Sequence, residues 1–291
     1  MNVNGLLVVD KEAGWTSHDV VARCRKMFGQ RRIGHAGTLD PDATGVLLIV
    51  LGRATRLVRF LTPLPKTYTT DIVLGTATST LDSSGEVTGT FDMSNVTPER
   101  VAAAAAGLTG EIEQVPPMVS AVKVGGRRLH QLARQGKEVE RAPRPVTVYR
   151  FDTEPDPRRP GVYRALVKCS SGTYVRVLAD DLGRALGGGA HVANLRRTRI
   201  GSFGEPEMRP LDRLERDDVL TPAEAMRDLD PVRVNHDTAR SVLTGLPLDR
   251  VKLGAVGDGP WALLDEHGSL LAVYEATATD RIQPVVVLGT R

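Results

Sequence analysis

In the stretch Gly34 to Gly45, GHAGTLDPDATG, two acids flank a proline: Asp40, Pro41 and Asp42. A carboxylate held in such a turn can attack an electrophilic carbon, stabilise a developing cation or take a proton. Pro41 fixes its own φ and biases Asp40 away from the helical region. Gly34, Gly37 and Gly45 permit left-handed backbone or close approach. The pattern predicts a rigid loop that holds Asp40 in a defined direction, which is a costly thing to build without a function. The same residues also suit an Asx turn, with Asp40 or Asp42 bonding its own backbone. His35 suits an acid–base role or that of a capped turn histidine.

A second group lies far along the chain in CSSGTYVR, Cys169 to Arg176. Tyr174 and Arg176 would share a face of an extended segment and diverge at a helix start. Arg176 is a natural partner for a buried carboxylate, whose pKa it would lower by roughly one to three units. The alternative is a surface ion pair. Tyr68, in KTY, offers a flat face on which a base can stack, worth about 1–3 kcal/mol. The alternative is a core tyrosine with a bonded hydroxyl. HExxH, GK[ST] and GxGxxG motifs are missing, so zinc and nucleotide cofactors find no support. The two cysteines, Cys24 and Cys169, form no CxxC pair, which points away from thiolate metal sites and disulfide frameworks.

The elements that must position these residues read as follows. Leu6 to Val9 is a short buried strand that runs into a polar loop. Thr16 or Ser17 caps a helix with Val20, Val21, Cys24, Met27 and Phe28 on one side, ended by Gly29. VLLIVLG after the Asp40 loop is a buried strand, and RATRLVRFL is helical. From Tyr68 the chain alternates as a strand. Thr97 and Pro98 open a helix that Gly107 or Gly110 closes. The segment from Gln114 to Arg150 is basic and broken by Pro and Gly, with a short helix around Leu129 to Arg134; this is the texture of a functional loop or lid. VYRALVKCSSGTYVRVLADDLGRALG reads as strand, turn and helix, HVANLRRTRIGSF as a strand, and TPAEAM as a short helix. From about Asn235 a helix and short strands make a small β-rich tail. The fold class is α+β with a mixed, mostly antiparallel sheet flanked by helices.

The chain has 291 residues, 41% of them hydrophobic and 4% aromatic, with a formal charge of +3. That supports a packed core and makes disorder the wrong default. The charge is polarised. Arg23, Arg25, Lys26, Arg31 and Arg32 cluster early, a second basic run spans Lys123 to Arg150, and LRRTR closes at Arg199, while acids concentrate in Glu205 to Asp230. Such basic faces suit a polyanion, although solvated helix faces look alike. No run reaches about 18 apolar residues and no charged leader precedes a long apolar stretch, so a soluble, cytoplasmic protein is expected.

Taken together, DKEAGWTSHDVV (Asp10 to Val21), GHAGTLDPDATG and CSSGTYVRVLADDLG resemble, in order and spacing, motifs of the bacterial TruB family of tRNA pseudouridine-55 synthases. PPMVSAVKVGGRRLHQLARQGKEVERAPRPVTVY and GAHVANLRRTRIG extend the likeness, which runs from about Leu6 to Gly201. The tail resembles a PUA-type RNA-binding domain more loosely. The resemblance implies a catalytic aspartate at Asp40 and substrate-binding residues at His35, Tyr68, Tyr174, Arg176, Leu195 and Lys11, with Leu195 the apolar residue lining a uracil pocket. It implies a catalytic domain over 1–232 with an RNA-binding insertion over about 117–146, and a PUA-like domain over 233–291. It further implies a pseudouridine synthase fold, tRNA as partner through its T-arm, no cofactor, no metal, and action as a monomer. One departure is Glu12, where the family usually has proline.

Two other functions fit parts of the sequence. A non-catalytic RNA-binding or tRNA-folding factor would use the basic faces and the tail, but would not need the set Asp40, Tyr68 and Arg176. A glycoside hydrolase would use two carboxylates, here Asp40 and Asp42. Acids this close in a proline turn are poorly placed to straddle a sugar, and the basic surface would have no role.

Overall fold

The computed structural model describes residues 2–118, 120, 123–124, 127–128, 135 and 139–289. The helix expected around Leu129 to Arg134 lies outside the described residues. The chain divides into two compact units: Met1–Pro41, Gly45–Pro63 and Gly201–Arg291 form one, and Asp42–Thr44 with Leu64–Ile200 the other. Each is α+β in composition, as the sequence predicts.

In the first unit, strand Gly5–Lys11 pairs antiparallel with Thr44–Leu51 from Gly5↔Leu51 to Lys11↔Gly45. Both are apolar nearly throughout because both faces are covered. Arg209–Pro210 adds a short parallel edge beside Val9 and Asp10. Ile33–Ala36 pairs with Thr44–Leu51 as well, so His35 stands on a strand opposite Ile49 and not in the loop where the sequence reading put it. The four residues of that strand are too few, and too rich in glycine, to show strand periodicity.

Helix Ser17–Phe28 begins as predicted. Thr16 is its N-cap, and Asp19 closes a capping box with it. Gly29 ends it at φ 62, a left-handed conformation that glycine adopts without strain. Val20, Val21, Cys24 and Phe28 pack on Leu7, Val9, Leu47, Ile49 and Leu51 in one apolar core. Each such fully buried side chain contributes roughly 1.5–3 kcal/mol. That core anchors both ends of the Asp40 loop, which leaves the sheet at Ala36 and rejoins it at Thr44.

Also in this unit, five short strands form a separate sheet in the order Asp230–Arg233, Trp261–Leu264, Leu270–Ala276, Arg281–Val287, Leu248–Asp249. Helix His236–Leu243 belongs to it, and Val232, Val242, Trp261, Leu263, Tyr274 and Ile282 form its core. The expected helix and strands are present. The sheet begins at Asp230, with a parallel strand pair that no local pattern announced.

The second unit is an antiparallel sheet in the order Ala190–Ile200, Lys66–Leu74, Val162–Cys169, Arg144–Pro155, Gly110–Gln114. Lys66, Tyr68, Thr70, Ile72 and Leu74 alternate onto the buried face of their strand. Helix Pro98–Gly107 has Thr97 as N-cap and Pro98 at its first turn, as expected. Helix Val175–Ala185 follows strand Val162–Cys169 through the turn Ser170–Thr173.

Candidate active site

In the first unit, Lys11 ends its strand fully buried. Its ammonium donates to the carbonyls of Glu12 (2.8 Å), Trp15 (2.7 Å) and Pro41 (2.8 Å). Three N–H groups thus meet three carbonyls, which makes a buried ammonium tolerable. Pro41's carbonyl also accepts from the Gly14 N–H at 3.0 Å. On the other side of Asp40, the buried Ser17 hydroxyl accepts from the Leu39 N–H (2.9 Å) and donates to the Leu39 carbonyl (3.2 Å).

Asp40 therefore sits between two residues whose backbones are both tied to the segment Lys11–Ser17. Its own side chain is half-buried. Gly37 (φ 79) and Gly45 (φ 100) supply the left-handed backbone at the loop's two ends. The loop is thus clamped through its backbone on both sides of Asp40. Glu12 contributes its carbonyl while its side chain is exposed, so any residue there provides the same acceptor, and the departure from proline leaves the clamp intact. His35 packs edge-on against His18, with ring centroids 5.3 Å apart.

Sequence reasoning did not find Ser17 as a loop anchor, because a helix-cap serine looks the same whichever backbone it serves. Ser17→Ala is expected to reduce kcat about tenfold with KM within about twofold. The stability loss should be roughly 1–2 kcal/mol, because only one hydroxyl is removed. Steady-state kinetics beside urea unfolding checks this; an unchanged kcat would contradict the clamp.

In the second unit, Tyr68 is almost fully buried, opposite Val167 on one neighbouring strand and Arg197 on the other. Lys66 precedes it by two residues on the same face and is buried too, its ammonium donating to the Leu64 carbonyl at 2.6 Å. Arg197 is 1% exposed. Two cations thus flank Tyr68 in a dry setting, where they attract anionic or carbonyl groups more strongly than they would in water.

Burial, with the nearby Arg197 charge second, pushes the Lys66 ammonium down to about 8 from its ordinary 10.5. Between these values the unfolded chain holds the extra proton, so this group's contribution to stability rises as pH climbs from about 8 toward 10.5. Replacing Lys66 with methionine should remove that rise. Urea unfolding of both proteins across this range would show it as a difference that changes with pH; parallel curves would contradict it.

Tyr174 and Arg176 fall at a helix start, so they diverge. Tyr174 is the N-cap residue, and its backbone is held by Gln114, whose side chain accepts from the Tyr174 N–H (3.0 Å) and donates to its carbonyl (3.3 Å). Arg176 is buried, at 3% exposure, which rules out the surface ion pair. Within this unit its guanidinium donates to the Thr80 carbonyl at 2.8 Å and meets Asp82 at 3.4 Å. Gln114 and Asp82 escaped sequence reasoning, since each lies more than 50 residues from the group it holds. Leu195 is half-buried on strand Ala190–Ile200.

Among the described residues no three His, Cys, Asp or Glu side chains gather as a metal site. No described helix is long and apolar enough to cross a membrane.

Two family models match in succession: "TruB family pseudouridylate synthase (N terminal domain)" over residues 25–175, and "tRNA pseudouridylate synthase B C-terminal domain" over 176–232. The chain is 48% identical over 278 residues to a tRNA pseudouridine synthase B of Rhodococcus jostii, covering 93% of this chain and 90% of that one. It is 44% identical over 301 residues to one of Arthrobacter sp., covering 99% and 97%. Among solved structures it resembles a chain from the crystal structure of a Cbf5-Nop10-Gar1 complex, with TM-score 0.74 and 27% identity over 98% of this chain and 84% of that one. A second likeness is to a chain of an H/ACA RNP bound to a substrate RNA containing 2′-deoxyuridine, with TM-score 0.71 and 25% identity over 94% and 78%.

Proposed function

The chain belongs to the TruB family of pseudouridylate synthases and has its pseudouridine synthase fold, and from that premise we propose that it converts uridine-55 in the T-loop of tRNA to pseudouridine, with Asp40 as the catalytic residue. The observation that carries the assignment to Asp40 is the double backbone clamp, Ser17 on Leu39 and Lys11 with Gly14 on Pro41. A carboxylate between two fixed points keeps one direction, and such pre-organisation lowers a reaction barrier.

The chemistry needs such a group. The C1′–N1 bond of the uridine breaks, the base turns, C5 joins C1′, and C5 then loses its proton while N1 gains one. No electron or phosphate is transferred, so the isomerisation calls for neither cofactor nor metal. An ionised Asp40 either engages an oxocarbenium-like C1′ or takes a ribose proton on the way to a glycal. The uridine must first leave its stack, at a cost of a few kcal/mol. Tyr68 offers the flipped uracil a stacking face, Leu195 an apolar wall, and His35 a side chain to brace the space the base leaves. Tyr174 and Arg176 belong to the same substrate-binding set. Lys11 serves through the loop.

The basic segments then hold the T-arm through its phosphates, with recognition by shape more than by sequence. On this reading residues 1–232 are the catalytic domain with an RNA-binding insertion over about 117–146, residues 233–291 a PUA-like RNA-binding domain, and the protein a cytoplasmic monomer. The test is to treat unmodified tRNA transcripts with the purified protein and map pseudouridines by chemical sequencing. A single new pseudouridine at position 55 is expected. Modification only at other uridines would overturn the site assignment, and modification nowhere would overturn the reading as a tRNA enzyme.

A further inference from the structure

Strand Ala190–Ile200 does not run regularly beside Lys66–Leu74. Its register steps from Ala193↔Asp71 to Arg196↔Thr69. Asn194 and Leu195 together therefore stand opposite Thr70, which makes a β-bulge. The bulge decides which face Leu195 joins. Val192 lies opposite Ile72 and Arg197 opposite Tyr68, and all four are buried. In an unbroken strand Leu195 would share the face of Ala193 and Asp71. The extra residue moves it to the parity of Arg197, on the face of Tyr68.

Asn194 has φ 53, a left-handed conformation that asparagine tolerates and that most side chains resist. It is tied there. Its side-chain amide donates to Asp71 Oδ2 at 2.9 Å. The same Asp71 oxygen meets Arg159 at 2.9 Å, and Arg159 in turn bonds Asp156 at 2.7 Å. On the strand side, the Thr70 hydroxyl donates to the Ala193 carbonyl at 2.8 Å.

We propose that Asn194, anchored by Asp71, is a positioning residue that turns Leu195 onto the Tyr68 face and so shapes the uracil pocket. This rests on the reading of Leu195 given above. Bulges are a recurrent device for re-aiming a side chain at a site. This one is held by a polar chain on the opposite face of the sheet, away from Tyr68.

The test measures kcat/KM for pseudouridine formation on T-arm RNA, with melting temperatures as a folding control. Asn194→Gly keeps the left-handed backbone and should stay within about threefold of the wild type. Asn194→Val opposes that backbone and should fall by on the order of tenfold or more. Leu195→Ala should fall similarly, and Asn194→Val combined with Leu195→Ala should be no worse than Leu195→Ala alone, because Asn194 acts through Leu195. Should Asn194→Val not fold, Asn194→Ala carries the same comparison. Equal activity of the valine and glycine variants, or a double variant that shows the product of the two single losses, would overturn the inference. A wild-type protein that makes no pseudouridine would instead overturn the functional reading on which it rests.

Discussion

Asp40→Asn is expected to make no pseudouridine above background while binding T-arm RNA within a few-fold of the wild type. Asparagine has the shape of aspartate, so the loop between Leu39 and Pro41 keeps its backbone anchors. What disappears is the negative charge and the basic oxygen, and either chemical route needs both. Losing a carboxylate that acts in the transition state costs on the order of 10⁴-fold in rate or more. On the proposed reading, binding through phosphate contacts over a wide surface should hardly notice one acid. Filter binding and single-turnover product assays on one preparation separate the two effects. Loss of binding in parallel with loss of product would mean that the substitution had damaged the fold instead.

Lys11→Met should be the most damaging change outside the reacting group. The methionine fits the space but leaves the carbonyls of Glu12, Trp15 and Pro41 without the donors that Lys11 supplies. An unsatisfied buried polar group costs roughly 1–3 kcal/mol. Gly14 still serves Pro41, so the combined loss should be about 3–5 kcal/mol, below three full penalties. The Asp40 loop then keeps Ser17 on Leu39 but holds Pro41 through the Gly14 N–H alone. A misplacement of about 1 Å can cost about a hundredfold in rate. Urea unfolding and single-turnover kinetics of Lys11→Met should therefore show both stability and rate reduced. A destabilised variant with the wild-type rate would show that Lys11 supports the fold but not the aim of Asp40.

Much of the frame that carries these residues was legible locally. Thr16, Asp19 and Gly29 announce their helix because caps act within one turn. The apolar run Val46–Leu51 announces a strand covered on both faces. The strand at Ile33–Ala36, the parallel strand at Asp230 and the bulge at Asn194 depend on partners distant in the chain, and short segments leave no periodic trace.

The candidate site divides in the same way. The Asp-Pro-Asp turn stands out from its composition alone. The bonds that hold its backbone do not. Ser17 reaches Leu39 across 22 residues and Lys11 reaches Pro41 across 30. Arg176 was foreseen as a partner for a carboxylate, yet Asp82 beside it was not, because a lone acid in a turn-rich connector carries no mark of what it meets. The departure at Glu12 leaves the clamp unchanged for an equally physical reason: that position serves through its backbone.

The central claim is that the clamped loop exists to aim Asp40, with Asp42 a structural residue of the same turn. The most direct measurement compares Asp40→Asn and Asp42→Asn in single-turnover pseudouridine formation on T-arm RNA, at saturating enzyme and on matched preparations. The account predicts no product from the first and a rate within a few-fold of the wild type from the second. Product from Asp40→Asn, or abolition of activity by Asp42→Asn alone, would contradict it.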